Sequence, residues 1–242
     1  MYVYGIVRAD AEARLPDAGV EGRPVGRLAE GDLAAIVADI EEAPVRANRR
    51  NLMAHSRVLQ GVLETPCDVL PMRFGVVMPD AATVRDELLA PHAAELAAQL
   101  ATVAGKVELD VAISCPEEEI LRAVVAGDRH LADLARHARG YHERLAAGEA
   151  IATGVAGYRE AVAARGLDEL GPFAAAAVRD EVRADDELTR SAFLVDRAQV
   201  PGFDAALERL GAALGDAVRV RSVGPLPPYH FVDLALPERA WA

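Results

Sequence analysis

The pattern of apolar and polar positions in the first half of the chain predicts a β-β-α-β-α-β order. Helical spacing of apolar residues predicts one helix after an N-cap at Asn48 and another after Asp80. Strands are expected where β-branched and aromatic residues concentrate or alternate with polar ones, at 2–7, 33–40, 69–78 and 106–113. This order favours a single four-stranded sheet with both helices on one face, a ferredoxin-like arrangement.

The middle of the chain is predicted to be helical. Ser114 and Glu117 have the spacing of a capping box. Between Ile120 and Leu145, apolar or small residues recur at alternating intervals of four and three, which is the pattern of a heptad seam. Such a seam must be covered either by another helix of the chain or by a second molecule. A further helix is expected over 173–184.

The end of the chain returns to an α+β pattern. Strands are expected at 191–196, 218–223 and 231–236, with an amphipathic helix over 201–214. The predicted fold class is therefore α+β with two small domains. The first, 1–114, holds the ferredoxin-like four-stranded sheet with two helices, and the second, 115–242, holds a helical segment and a smaller α+β domain.

Charge and hydropathy restrict the class of partner. The 242 residues carry a formal net charge of −12, which disfavours nucleic acid and anionic lipid. Arg46, Arg49 and Arg50 form the tightest basic cluster. No apolar run is long enough to span a bilayer, and residues 1–8 read as a strand and not as a signal peptide, so we expect a cytoplasmic protein. Two cysteines without metal-ligand spacing indicate neither a disulfide framework nor a metal site.

The segment 69–75 is the main candidate for chemistry. It contains Pro71, Arg73 and Phe74 on a strand that proline and glycine interrupt. With His55 and Glu64 from the preceding helix, Arg73 would allow anion binding and proton transfer, as in a small-molecule enzyme or sensor. The alternative is structural, with Arg73 paired to an acidic residue or placed at an interface. The sequence contains no phosphate-binding loop, nucleophile elbow or zinc-type motif, and we predict no enzymatic activity, cofactor or metal.

Two further features have competing interpretations. His130, Asp133 and His137 fall on one helical face, but a fourth metal ligand is missing from the pattern. The run 224–229 ends in Pro227, Pro228 and Tyr229, which indicates either a rigid loop on the core or a docking surface for a partner.

Several segments, in order along nearly the whole chain, resemble the gas vesicle protein F/L family (GvpF/GvpL). The resemblance is most distinctive at His55 followed by 69–75, and at 224–232 near the end. The other matching segments are 2–7, 33–37, 105–109 and 192–195. Leu226 and His230 depart from the family pattern, in which an aromatic residue and Ser are common.

This resemblance implies an accessory protein of gas vesicles without an established enzymatic activity or cofactor. The implied partners are the small, very hydrophobic shell protein and other vesicle accessory proteins, with no nucleic acid and no membrane bilayer. The implied role is to bind the shell protein, limit its aggregation and support vesicle nucleation or growth. The expected location is the cytoplasm and the gas vesicle, and the oligomeric state, monomer or weak dimer, is left open.

Overall fold

The computed structural model describes residues 1–41, 44–184 and 186–233. The chain forms two compact units. Unit 1 contains Met1–Glu108 and the described residues from Gly224 on, and unit 2 contains Leu109–Val223. The described residues from Gly224 on thus belong to the same compact unit as the first residues of the chain. The domain bounds of 1–114 and 115–242 stay a prediction. The two compact units are divided at other positions, after Glu108 and after Val223.

Unit 1 is built on a four-stranded sheet with the order β2-β3-β1-β4. Strand β1 pairs antiparallel with both β3 and β4, and β2 pairs antiparallel with β3. Every residue of β3 and all but the last of β1 are buried. The strands are β1 (Tyr2–Arg8), β2 (Val25–Glu30), β3 (Leu33–Ala38) and β4 (Leu70–Pro71).

Helices cover both faces of this sheet, where the sequence pattern favoured one. Apolar residues of α1 (Arg49–Leu63) pack with one face of β1 and β3. On the other face lies the segment formed by α2 (Ala81–Thr83), a π-helical stretch (Val84–Leu89) and α3 (Ala93–Val103). Two covered faces explain why the central strands are buried throughout instead of alternating between buried and exposed positions.

Three strand assignments of the first half are corrected. The predicted loop contains an edge strand, β2, with Leu28 as its one buried residue, so no alternation marked it. The fourth predicted strand is observed as β5 (Lys106–Ser114), but it pairs in the second sheet, and only its first three residues belong to unit 1. Segment 69–78 forms a regular strand only at β4, although Met72 and Val76 also bond to β1 through their backbones.

The sheet of unit 2 has the order β6-β7-β5-β8, from β6 (Ala176–Asp180), β7 (Glu187–Asp196), β5 and β8 (Arg219–Leu226). Its core includes Phe193 of β7 and Phe203 of α7 (Val200–Leu214), whose ring centroids are 5.3 Å apart. The predicted helix over 173–184 is wrong, because residues 176–180 pair with β7 as a strand. The expected last strand at 231–236 is not formed over 231–233, and its remainder lies outside the described residues.

The predicted helical seam is divided among α4 (Glu117–Gly127), α5 (Arg129–His137) and the 30-residue α6 (Tyr141–Leu170). Ile120, Val124 and Leu131 are buried in the core of unit 2, while Tyr141 and Leu145 are 71% and 51% exposed. Its first part is therefore covered within the chain. The predicted capping box is absent, since α4 starts after Pro116 without a side-chain cap.

The α+β class and the two four-stranded sheets confirm the predicted fold class. Among the described residues, no helix combines the length and apolar character needed to cross a membrane.

Candidate functional site

Three of the segments that carry the family resemblance meet at a largely buried group of rings in unit 1. We call it the tyrosine–histidine cluster, and it consists of Tyr2, Tyr4, His55, Phe74 and Tyr229. His55 is its centre: its side chain contacts a tyrosine from the first strand and a tyrosine from the last described segment.

Local sequence places these side chains on one face. Tyr2 and Tyr4 are two residues apart on β1, so both point to the face that α1 covers. Asn48 caps α1 by accepting a hydrogen bond from the Asn51 N–H at 2.9 Å. This cap fixes the start of the helix, and His55 then falls on the buried side with Val58 and Leu59.

Hydrogen bonds occupy both ring nitrogens of His55. Nδ1 lies 2.9 Å from the hydroxyl of Tyr2, and Nε2 lies 3.2 Å from the hydroxyl of Tyr229. The Gly75 N–H donates to the Tyr2 hydroxyl at 3.2 Å, so the proton of that hydroxyl is available for Nδ1.

Ring packing supports the same arrangement. The imidazole of His55 stacks on Tyr4 at an interplanar angle of 26° and meets the edge of Phe74 at 76°. The Tyr4 hydroxyl accepts a hydrogen bond from the Val20 N–H at 2.8 Å, which ties the loop before β2 to the cluster. The ring positions of His55 and Tyr4 are thus fixed by contacts on several sides.

Burial determines the protonation state of the cluster. It lowers the pKa of His55 from 6.5 to about 4, so the imidazole is neutral near neutral pH. It also raises the pKa of Tyr2 and of Tyr229 above the usual value for a phenol. A neutral histidine whose two nitrogens both contact tyrosines from distant segments is suited to hold those segments together.

The C-terminal segment, Pro227–Asp233, is held to unit 1 at two further points. The backbone N–H of His230 donates to Glu108 Oε2 at 2.9 Å, and its ring Nδ1 lies 2.8 Å from Oε1. Gln99 on α3 accepts a hydrogen bond from the Asp233 N–H at 3.1 Å. Glu108 is only 1% exposed, so its carboxylate depends on partners within the protein, and His230 supplies two of them.

The remaining candidate residues have different positions. Pro71 is buried in β4 opposite Gly5, and Pro227 and Pro228 are buried before the turn that carries Tyr229. Arg73 is exposed beside Phe74. Glu64 pairs with Arg14 at 3.6 Å.

Arg73, His55 and Glu64 therefore do not form one site. Among the described residues, no hydrogen bond or ion pair joins Arg73 to either of the others.

Sequence reasoning did not select Tyr2, Tyr4, Glu108 or Gln99 as site residues. The two tyrosines could have been selected from the sequence, because their spacing of two residues on a predicted strand places both hydroxyls on one face of the sheet. Glu108 resembled a solvent-facing position of an alternating strand, and only its contact with a residue 122 positions away reveals its role.

The proposed metal-ligand face on α5 is engaged in local contacts. Asp133 forms an ion pair with Arg136 at 3.0 Å, and the His137 ring lies 2.8 Å from the backbone oxygen of Asp133. The described part of the chain contains no group of three or more His, Cys, Asp or Glu residues arranged to hold a metal ion.

Comparison with known proteins gives a consistent result over almost the whole chain. The family model described as gas vesicle synthesis protein GvpL/GvpF matches residues 1–233. A gas vesicle protein F from a Streptomyces species is 37% identical over 241 residues, covering 96% of this chain and 99% of that protein. Gas vesicle protein F2 of Halobacterium salinarum is 29% identical, with coverage of 97% and 92%.

A crystal structure of the gas vesicle protein GvpF from an Anabaena species has the same fold, with a TM-score of 0.87 at 24% identity, covering 97% of this chain and 98% of that one. The GvpF structure from Microcystis aeruginosa gives a TM-score of 0.79 at 24% identity, with coverage of 95% and 97%. The predicted resemblance is confirmed, and the chain belongs to the GvpL/GvpF family of gas vesicle synthesis proteins.

Proposed function

We propose that this protein is a cytoplasmic assembly factor that binds the small hydrophobic shell protein of gas vesicles. In binding it, the protein limits aggregation of the shell protein and supports nucleation or growth of the vesicle. The observation that carries the proposal is the family match over residues 1–233, which assigns a role connected with gas vesicles.

The surface chemistry of the chain supports a binding role. A shell subunit with a water-repelling face aggregates unless that face is covered before assembly. A partner with a net charge of −12 keeps such a complex dispersed through repulsion between complexes.

Unit 2 offers apolar groups for contact. Tyr141 and Leu145, at the start of α6, remain exposed where the helical seam leaves the core. Beside them, α5 and α6 border an open cleft of about 430 Å³ lined partly by Leu134, Ala138 and Ala146. Exposed apolar side chains next to a cleft are typical of a surface that receives a helix or loop of another protein.

Co-expression with the shell protein tests the proposal. The soluble fraction of the shell protein is measured with this protein, with an unrelated acidic protein of similar size, and alone. We expect a higher soluble fraction only with this protein, together with recovery of both proteins in one complex. An unchanged soluble fraction, or an equal rise with the unrelated acidic protein, would contradict the proposal.

The enzyme or sensor interpretation has less support. It required Arg73, His55 and Glu64 to converge. Instead, His55 is bonded to two tyrosines and Glu64 is paired with Arg14. No observation at these residues favours catalysis over assembly.

A further inference from the structure

Helix α1 and the residues before it form a basic region in an acidic chain. Residues 43–63 contain four Arg and neither Asp nor Glu. Without these four, the 26 basic residues fall to 22 against 38 acidic ones, and the net charge of −12 becomes −16. The four are Arg46, Arg49, Arg50 and Arg57.

All four of these side chains are exposed. Among the described residues, none of them forms a salt bridge or a side-chain hydrogen bond. Elsewhere on the surface, arginines are commonly paired, as in Arg122 with Glu119 and Arg179 with Glu160. Within the part of unit 1 that the structure describes, these four side chains therefore have no ion-pair partner, and their charge is available to a partner molecule.

Apolar side chains lie among the arginines. Leu52 and Met53 are 43% and 54% exposed, although the opposite side of α1 is packed in the core. Arg49, Met53 and Arg57 follow one another at intervals of four, so they form a stripe along the helix. We call the exposed surface from Arg46 to Arg57 the basic face of α1.

A cleft continues this surface at its C-terminal end. Arg57 lines it with Gln60 and Gly61 of the same helix and with the loop 14–17, and the cleft also contains the carboxylates of Asp17 and Glu64, so its own charge is balanced. Its volume is about 390 Å³. A Cβ at Gly61 would lie 2.7 Å from the backbone oxygen of Arg14, so glycine allows the loop to approach and form the wall of the cleft.

We propose that the basic face of α1 is the docking surface for an acidic, partly apolar segment of the shell protein. The inference rests on the proposed function and adds the surface and the chemistry of recognition. Carboxylates of the segment would pair with the arginines, and its apolar side chains would cover Leu52 and Met53. Complementary charge of this kind raises the rate of encounter and fixes the register of the two partners.

A protein segment fits this surface better than a nucleic acid or an anionic lipid layer. An extended polyanion would also face the remaining net charge of −16, which repels it. A short acidic segment would contact only the basic face. The exposed Leu52 and Met53 in the middle of that face call for apolar groups in the partner, which a phosphate backbone does not offer.

Charge reversal tests the inference. The variant Arg49→Glu/Arg57→Glu is compared with Arg209→Glu/Arg221→Glu, which makes the same change in net charge at two exposed arginines of unit 2 that form no ion pair with another described residue and lie outside the cleft between α5 and α6. Affinity for purified shell protein is measured for both variants and for the unsubstituted protein, after thermal unfolding has shown that all three are folded.

We expect the α1 variant to bind about tenfold more weakly or worse, and the control variant to change by less than about twofold. Binding of the unsubstituted protein should also weaken as NaCl rises from about 0.05 to about 0.5 M, because salt screens exposed charges. Met53→Ser, which keeps every charge, should weaken binding about threefold. If a reversal variant is unfolded, Arg49→Gln/Arg57→Gln replaces it.

Equal affinity of the unsubstituted protein and the α1 variant, or an equal loss in both double variants, would overturn the inference while leaving the proposed function intact. Failure of the unsubstituted protein to bind the shell protein would instead contradict the proposed function, and the inference with it. Binding to single-stranded DNA or to vesicles of anionic lipid that is lost only in the α1 variant would identify a different class of partner and overturn the assignment.

Discussion

The imidazole Nε2 of His55 lies 3.2 Å from the hydroxyl of Tyr229, a residue 174 positions further along the chain. This contact joins the middle of α1 to the segment that follows the last strand. Both residues belong to segments that carry the family resemblance. The contact gives these segments a physical role, which is to join the segment around Tyr229 to α1 within unit 1.

Removing one hydroxyl tests how strongly this contact holds. In Tyr229→Phe, His55 Nε2 loses its partner inside an apolar cluster while the ring packing is kept. We expect the free energy of unfolding to fall by about 0.5–1.5 kcal/mol, the net contribution of one hydrogen bond, because the backbone of Met72 still offers the His55 ring a partner. Chemical denaturation measures the change. Tyr141→Phe is the matched control, because Tyr141 is 71% exposed and its loss of a hydroxyl should have no measurable effect.

The lowered pKa of His55 predicts a specific dependence of stability on pH. Its pKa is about 4 when folded and 6.5 in the reference state, so between these values the unfolded chain binds the proton and the folded chain does not. Stability contributed by neutral His55 is complete above pH 6.5 and falls as the pH decreases towards 4. The slope is about 1.4 kcal/mol per pH unit, or about 3 kcal/mol in total.

Carboxylates also titrate in this range, so the comparison must be made against a variant. His55→Gln removes the titrating ring and keeps a polar side chain. Urea unfolding at a series of pH values gives the two slopes, and the difference between them should equal the contribution of His55. Parallel curves for the two proteins would contradict the prediction, because they would show that the pKa of His55 is the same in the folded and the unfolded chain.

Local patterns account for the elements that the sequence predicted well. Strand β1 and helix α1 have strong local signals, a β-branched and aromatic run and an N-cap at Asn48 that the structure confirms. Helix α7 follows its amphipathic spacing. Where the local preference of a segment and its pairing with a neighbouring strand favour different structures, the strand pairing determines the structure that forms. Residues 173–184 are rich in Ala, which favours a helix, yet five of them form β6 because β7 offers an edge.

The candidate site could be predicted only in part. His55, Phe74 and Tyr229 were selected from the patterns of their own segments and from the family resemblance, but nothing in their local sequence shows that they meet. The contacts that join them span 53 and 174 positions, from His55 to Tyr2 and to Tyr229. Contacts of this length depend on how the sheet is ordered and on where the chain returns, which hydrophobic periodicity does not encode.

Gly19 provides a steric test of the loop that bonds to the cluster. A Cβ at this position would lie 2.1 Å from the Tyr4 hydroxyl and 2.8 Å from Val25, so the loop or the ring must move. We expect Gly19→Ala to lower the free energy of unfolding by about 1–3 kcal/mol, as overpacking does elsewhere. Gly26→Ala is the control, since nothing lies within 4 Å of its added methyl group and its melting temperature should be unchanged or slightly higher.

A buried ion network in unit 2 gives the last prediction. Arg190 on β7 bonds to Asp110 at 2.7 Å and to Glu187, and both carboxylates are 8% exposed. Replacing Arg190 with Met leaves two buried carboxylates without their shared cation, so we expect the free energy of unfolding to fall by about 3–5 kcal/mol.

Arg190→Met with Asp110→Asn and Glu187→Gln removes the uncompensated charge and should recover most of that loss, as measured by denaturant unfolding. If the triple variant were as unstable as Arg190→Met alone, packing of the arginine stem, and not charge, would be the source of stability. Arg136→Met serves as the control, because its pair with Asp133 is exposed and its removal should cost less than about 1 kcal/mol.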